Sequence, residues 1–186
     1  MEKIRHEMQP FTDEERLQRI IDREEIEQII GKRVFYKANE ERAEELEKLW
    51  VQLPENRRTA SFGSTWGFYT GMESIRAWYV AEHDKRLKNI LREYHEADPS
   101  VAEETKNLGI GRFSVSPLIA PAIQIAGDGK TAKGLWYSIG CVVQGHPGRE
   151  TETRWLSTKV AVDFVREESA DAPGQEPKTE IGRAHV

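Results

Sequence analysis

Apolar residues in the first part of the chain recur at steps of three and four, the spacing of one helix face. Thr12 and Glu15 form a capping-box pattern directly before this run, which predicts a helix start. The stripe that follows consists of Leu17, Ile20, Ile21, Ile26, Ile29, Ile30 and Val34. One side of a long first helix is therefore expected to face the core.

The helical spacing returns in residues 41–51 and again after Thr70 and Glu73, which repeat the capping-box pattern. The later segment carries apolar residues on one side as far as Asp98-Pro99, where proline ends it. A brief further helix is predicted over residues 100–109. The first half of the chain thus reads as helical.

The pattern changes to extended segments in the second half. Residues 112–124, 131–144 and 152–167 are rich in β-branched and aromatic residues and are separated by Gly-Asp-Gly and His-Pro-Gly. Helices followed by a run of strands indicate an α+β fold with an antiparallel sheet. We expect one domain over residues 12–167.

The segment GDGKT, residues 127–131, resembles the end of a phosphate-binding loop. That motif requires a glycine where this chain has Gln124, and a helix after the Lys-Thr pair. The following AKGLWYSIG favours a strand. Asp-Gly between two extended apolar segments instead predicts a two-residue hairpin turn, with Gly127 paired to Lys130.

This register assigns side chains to two sheet faces, both largely apolar. One face carries Ser116, Leu118, Ala120, Leu135, Tyr137, Ile139 and Cys141, and the other carries Ile119, Pro121, Ile123, Ile125, Ala132, Trp136 and Ser138. A bulge would shift these assignments by one residue. Since an antiparallel sheet usually shows water one polar face, we expect the helices to cover one side and a second subunit the other, giving a homodimer through the outer sheet face.

The last stretch, residues 168–186, has no apolar pattern and is predicted to be a disordered tail. Residues 180–186 back-translate into DNA that resembles a widely used sequencing adapter. The hypothesis is that these seven residues are foreign and replace the natural C-terminus. A natural gene that encodes them would contradict it.

The composition and net charge limit the kinds of partner and the cellular compartment that we expect for this protein. The net charge of −5 gives no basis for nucleic-acid binding, and Cys141, the single cysteine, excludes an internal disulfide. With no signal peptide or apolar membrane segment in the sequence, we expect a cytoplasmic protein without a membrane partner. The five histidines are scattered, so neither a metal nor another cofactor is expected.

The chain resembles the SnoaL-like branch of the nuclear transport factor 2-like superfamily, which has a cystatin-like fold. Four segments carry the resemblance, in this order: IDREEIEQIIGKRVFYKANEERAEELEKLW, GFYTGMESIRAWY, AGDGKTAKGLWYS and TRWLSTKVAVDFVRE. The resemblance implies a cone-shaped α+β barrel, a curved sheet wrapped around helices, with a pocket for a small apolar molecule. Members include polyketide cyclases, dehydratases and ketosteroid isomerases.

The chain departs from that family in three places. Ser116 stands where dehydratase-type members have a pocket histidine, and its carboxylate partner has no counterpart near residues 139–141. The C-terminal strand of the family is expected to be missing here. Two functions stay open: a cofactor-free lyase, isomerase or cyclase that works by proton transfer, or a non-catalytic ligand-binding or dimerisation module of the same fold.

Three residues are candidates for proton transfer. His83 lies on the apolar side of the long predicted helix and can act as acid or base, or can be an ordinary core histidine. Tyr36 can donate a hydrogen bond to a substrate oxygen, or can pack with its hydroxyl at the surface. Asp163 is a base if it faces the pocket, and a solvated strand carboxylate if it faces outward.

The remaining candidates would contact a ligand without doing chemistry. Aromatic pocket walls are expected at Trp66, Tyr69 and Trp136, although the same residues are equally suited to a plain core. Ser116, Tyr137 and Ser138 are candidates to orient a polar group of the ligand.

Overall fold

The computed structural model describes residues 11–102, 110–168 and 179–185, with side chains as far as residue 167. The helices are α1 (Asp13–Ala38), α2 (Arg42–Leu49), α3 (Pro54–Thr59), α4 (Met72–Arg76) and α5 (Glu82–Ala97); a π-helical turn, Ala77–Ala81, joins the last two. The strands are β1 (Ser61–Ser64), β2 (Gly67–Thr70), β3 (Arg112–Val115), β4 (Ile119–Ile125), β5 (Thr131–Gln144), β6 (Glu152–Glu168) and β7 (Thr179–His185). The α+β class is confirmed.

One curved, open sheet of seven strands forms the frame of the molecule, in the order β2-β1-β7-β6-β5-β3, with β4 also paired to β5. The long β5 and β6 pair antiparallel from Thr131↔Val165 to Gln144↔Glu152. Strands β3 and β4 pair with opposite ends of β5 along the same edge. β1 and β7 meet in parallel at Ser61↔His185.

The GDGKT segment is a hairpin loop, as predicted, but its geometry differs. Ala126 N donates to Thr131 O at 2.9 Å, which leaves a four-residue loop, Gly127–Lys130, instead of a two-residue turn. Only Gly129 has a positive φ, +67°, and Gly129 N donates to Ala126 O at 3.1 Å. The hydrogen bond from Gly129 to Ala126 closes a β-turn inside the loop, and four-residue hairpin loops are most often built around one such turn.

The predicted register holds near this loop and shifts further away. Ile125↔Ala132 and Ala122↔Leu135 pair as expected, and then a bulge between residues 119 and 122 moves Ile119 opposite Tyr137. Along β5 the even-numbered residues from 132 to 140 are buried and most of the odd-numbered ones are exposed. The two faces of β5 therefore match the prediction.

The core lies between this inner sheet face and the helices. Ile26 and Ile30 of α1 pack with Trp136 of β5 and with Val162 and Phe164 of β6. A second cluster joins α2, the β1 region and the segment from α4 through the π-turn, and its buried members include Leu46, Trp50, Phe62, Ile75 and Tyr79. α1 is the cover predicted for the inner face.

Three predictions about elements were wrong. The stripe on α1 does not reach the core at its start, since Leu17, Ile20 and Ile21 are exposed; the buried apolar contacts of α1 with the sheet begin at Ile26. Thr70 does not cap a helix, because α4 has Gly71 at its N-cap without a side-chain hydrogen bond.

The third correction concerns the C-terminal region. The expected loss of the last strand and the expected disorder of the tail do not hold for residues 179–185, which form β7 and pair with β6. Residues 169–178 of the tail and most of the brief helix predicted over 100–109 lie outside the described residues. The adapter hypothesis for residues 180–186 stays a prediction.

Candidate functional site

A cavity of about 420 Å³ opens between the C-terminal half of α1, the start of α2 and β3. Its walls combine apolar residues with an unusual number of charged ones. The apolar lining is Val34, Ala38, Phe113, Val115 and Pro117, and the polar lining is Arg33, Lys37, Glu40, Arg42, Arg112, Ser114 and Ser116. A volume of this size accommodates a small organic molecule.

Arg33 is anchored on the inner wall by a buried network. Its Nε lies 3.5 Å from Oε1 of Glu45, which is fully buried. The other carboxylate oxygen of Glu45 accepts a hydrogen bond from the Tyr79 hydroxyl at 2.6 Å. Burial, with the nearby Glu45 charge, raises the pKa of Tyr79 to about 12, so this phenol stays a donor at neutral pH.

Glu40 presents a carboxylate to the cavity from a strained backbone position. It follows α1 with φ +57°, a left-handed conformation that is costly for a residue with a side chain. Its Oε2 lies 2.5 Å from Nε2 of His83 and 4.0 Å from Nε of Arg42. Strain of this kind persists where surrounding contacts hold a side chain in place, and here they hold it at the cavity.

The Glu40–His83 pair has a defined charge state. Burial lowers the pKa of His83, and the hydrogen bond to Glu40 opposes that effect only in part. Burial acts to raise the pKa of Glu40, but the His83 hydrogen bond and the charges of His83, Arg42 and Arg112 outweigh it and lower that pKa. Near neutral pH the pair is a carboxylate that accepts a hydrogen bond from a neutral imidazole.

Lys37 and Arg112 bring positive charge to the cavity without a matching carboxylate. Among the residues that the structure describes, neither makes an ion pair, whereas Arg33 lies beside Glu45 and Arg42 beside Glu40. Burial, followed by repulsion from Arg33 and Arg42, lowers the pKa of Lys37 to about 8; the Glu45 charge opposes this only in part, and Arg112 adds further repulsion. The cavity is therefore electropositive.

The three residues proposed for proton transfer do not converge. His83 is buried behind Glu40 at the cavity wall. Tyr36 lies against the helical core cluster, with Nζ of Lys48 5.7 Å from its ring centre, and does not line the cavity. Asp163 is opposite Lys133 on β6, on the sheet face away from the buried Val162 and Phe164. A shared catalytic centre of these three is absent from the described residues.

Of the residues proposed to contact a ligand, only Ser116 lines the cavity. Trp66 is 80% exposed at the β1–β2 turn, and Tyr69 stacks on Trp78 with ring centres 4.9 Å apart. Trp136 and Ser138 are buried on the inner sheet face. Tyr137 lies on the outer face, where Nζ of Lys159 is 5.6 Å from the centre of its ring.

The sequence contains a pattern that could have identified two of the cavity cations as candidate site residues. Arg33 and Lys37 continue the Ile26–Ile30 line of α1 by the same helical steps, so positive charges follow apolar residues on one face of this helix. Such residues on a core-facing line are seldom plain solvent-exposed charge. Glu40 and Arg42 gave no comparable signal, because they belong to the link between α1 and α2.

Fold and cavity together define an α+β protein with a helix-lined pocket beside an open, curved sheet. Residues 18–172 match the model of a family described as a SnoaL-like domain, and the chain belongs to that family. This places it among small-molecule-binding or isomerase- and cyclase-type proteins. No curated protein matches the chain.

The solved structures support the same fold. One similar structure is an NTF2-like protein with a cystatin-like fold from Novosphingobium aromaticivorans. It is 18% identical, and the superposition covers 91% of this chain and 82% of the other, with a TM-score of 0.51. The likeness concerns the fold alone.

Two further properties concern the described residues only. No helix among them is long and apolar enough to cross a membrane. No group of three or more His, Cys, Asp or Glu side chains among them is placed to hold a metal ion. The cytoplasmic location stays a prediction.

Proposed function

We propose that this protein binds a small organic molecule in the cavity between α1, α2 and β3. The observation that carries the proposal is the cavity of about 420 Å³, which is lined both by apolar residues and by buried or half-buried polar groups. Pockets of this size bury most of a small ligand, and the polar groups that line them orient it. Of the two functions left open by the sequence, ligand binding without chemistry is the first candidate.

Fluorescence of N-phenyl-1-naphthylamine, a neutral apolar probe, tests the pocket. We expect its emission to rise on binding and to stay low in Val34→Trp, which fills the cavity from α1. Leu17→Trp places the same side chain on an exposed turn of that helix and should bind like the wild type. Equal binding by both variants would contradict the proposed location.

Proton-transfer catalysis is the second candidate, and the Glu40–His83 pair is the specific observation in its favour. A carboxylate at the cavity, held by a neutral imidazole at 2.5 Å, is ionised at neutral pH and can accept a proton from a bound ligand, although its lowered pKa makes it a weak base. In this version Glu40 is the base and His83 positions it. Tyr36 and Asp163, which lie elsewhere, take no part.

The base-catalysed ring opening of 5-nitrobenzisoxazole tests this candidate. The base removes the carbon-bound proton while the N–O bond breaks, which yields a coloured phenolate. If Glu40 is a base, Glu40→Gln should lower the rate about 100-fold, in the range of general-base effects. Glu93→Gln, an exposed carboxylate on α5, is the control. A wild-type rate no higher than that of buffer would remove the candidate.

The protein is also proposed to form a homodimer through the outer sheet face. That face exposes a group of large apolar side chains on neighbouring strands, namely Phe113, Val115, Ile119, Tyr137, Ile139 and Trp155. Soluble monomers rarely leave such a patch open to water. A second copy that presents the same face is the simplest cover, since two-fold pairing uses one patch twice.

A further inference from the structure

We propose that the cavity selects molecules that carry a carboxylate on an apolar body, and that Lys37 and Arg112 hold the carboxylate. The inference rests on the proposed small-molecule pocket and names the class of its ligand. It follows from the distribution of charge around the cavity.

The first step is the pairing of the charged residues at the cavity. Arg33 lies beside Glu45, and Arg42 lies beside Glu40. Within the described part of the chain this leaves Lys37 and Arg112 as cations without an ion pair, both on the cavity wall. They come from α1 and β3, so they flank the space from two elements.

The second step is the loss of folding stability that this arrangement causes in the ligand-free protein. Cations that are withdrawn from water and placed near each other destabilise the fold unless an anion joins them. Lys37 shows this cost, because burial and repulsion lower its pKa to about 8. The charged residues around it are Arg33, Glu40, Arg42, Glu45 and Arg112.

The third step is the donor set. Arg112 offers a planar guanidinium that can hold a carboxylate with two parallel hydrogen bonds, and Lys37 adds a point charge. Nε of Arg42 is a further buried donor without a hydrogen bond among the described residues. Val34 and Ala38 of α1 and Pro117 after β3 supply apolar surface for the rest of the molecule.

Calorimetric titration with a matched pair of probes, 2-naphthoate and 2-naphthamide, tests the proposal. The two molecules have nearly the same shape, and only the first is charged. We expect naphthoate to bind about 10-fold or more tightly than the amide, as charge-assisted hydrogen bonds allow. The preference should largely disappear in Lys37→Gln and Arg112→Gln, and should persist in Lys85→Gln, which removes an exposed cation of α5.

Proton uptake provides a second readout that a merely structural role of Lys37 would not produce. An anion beside Lys37 raises its pKa, so binding near pH 8 should draw in a fraction of a proton, and affinity should fall as the pH rises above about 8. Titrations in buffers of different ionisation enthalpy measure this fraction. Lys37→Gln should abolish it, and circular dichroism checks that the variant is folded.

Three other outcomes would each overturn the inference. Equal binding of acid and amide would leave the pocket in place and remove its anion selectivity. A preference for naphthoate that survives in both Lys37→Gln and Arg112→Gln would place the anion elsewhere. Failure of both naphthalenes and of N-phenyl-1-naphthylamine to bind would contradict the pocket itself.

Discussion

Among single residues, the fully buried carboxylate of Glu45 is held in place by its neighbours. It sits beside Arg33 and accepts the Tyr79 hydroxyl hydrogen bond at 2.6 Å. Tyr79→Phe removes that donor from a fully buried acceptor, and we expect the free energy of unfolding to fall by about 1–3 kcal/mol. Urea denaturation measures the change. Tyr137→Phe, on the exposed sheet face, should leave stability unchanged, and an equal loss there would contradict the explanation.

His83 gives a pH dependence whose sign follows from its environment. Burial holds its folded-state pKa below the ordinary value of 6.5, so the folded protein favours the neutral ring. The stability due to the neutral ring is complete above pH about 6.5 and is lost as the pH falls below that value towards the folded-state pKa. The Glu40 carboxyl, with a pKa below 4.5, affects stability only at lower pH.

The corresponding experiment compares urea denaturation of variants between about pH 7 and pH 5. We expect the free energy of unfolding of the wild type to decline across this interval and that of His83→Gln to decline less. A wild-type slope in His83→Gln would show that another group causes the decline.

For single residues, the sequence was most informative where the environment of a side chain depends on one helix or strand alone. The position of His83 on the apolar side of its helix predicted a buried histidine. Its partner Glu40 could not be found in the same way, because the φ of +57° that carries it to the cavity results from the tight link between α1 and α2. Asp163 needed the pairing of β5 with β6 to decide its face.

Among the elements, β3 is held against β5 by a close approach at Gly140. A Cβ atom at this glycine would lie 1.9 Å from the carbonyl oxygen of Val115, which is backbone and cannot rotate away. Gly140→Ala should therefore displace β3 and lower the free energy of unfolding by about 1–3 kcal/mol. Because β3 also forms a wall of the cavity, probe binding should weaken in the same variant.

The matched control for this change is Gly127→Ala in the hairpin loop. Nothing lies within 4 Å of a Cβ atom there, so stability should stay close to that of the wild type. Chemical denaturation compares the two variants directly. If Gly140→Ala is as stable as Gly127→Ala, the contact between β3 and β5 is looser than described.

For the whole molecule, the order of helices and strands was enough to predict the fold class and the sheet face that α1 covers. Local pattern also predicted the hairpin, because Asp-Gly between extended segments restricts the chain within a few residues. The bulge in β4 and the position of the cavity could not be predicted from the sequence. They depend on how β3 and β4 share one edge of β5 and on how the polar end of α1 meets that edge, which are contacts between distant segments.

The outer sheet face leads to a prediction for the whole assembly. Ile139 is 61% exposed on β5, the strand that pairs with β3, β4 and β6, and it lies opposite Ser157 near Trp155. If a second copy covers this face, the wild type should be a dimer in light scattering, and Ile139→Lys should be a monomer, because a buried unpaired charge is costly. Leu17→Lys introduces the same charge at an exposed apolar site on α1 and should remain dimeric.

Since β3 contributes both to this face and to the cavity, loss of the partner should also change probe affinity, and a ligand should shift the dimer equilibrium by the same factor. A wild-type monomer at every concentration tested would contradict the dimer, and the outer face would then need another explanation.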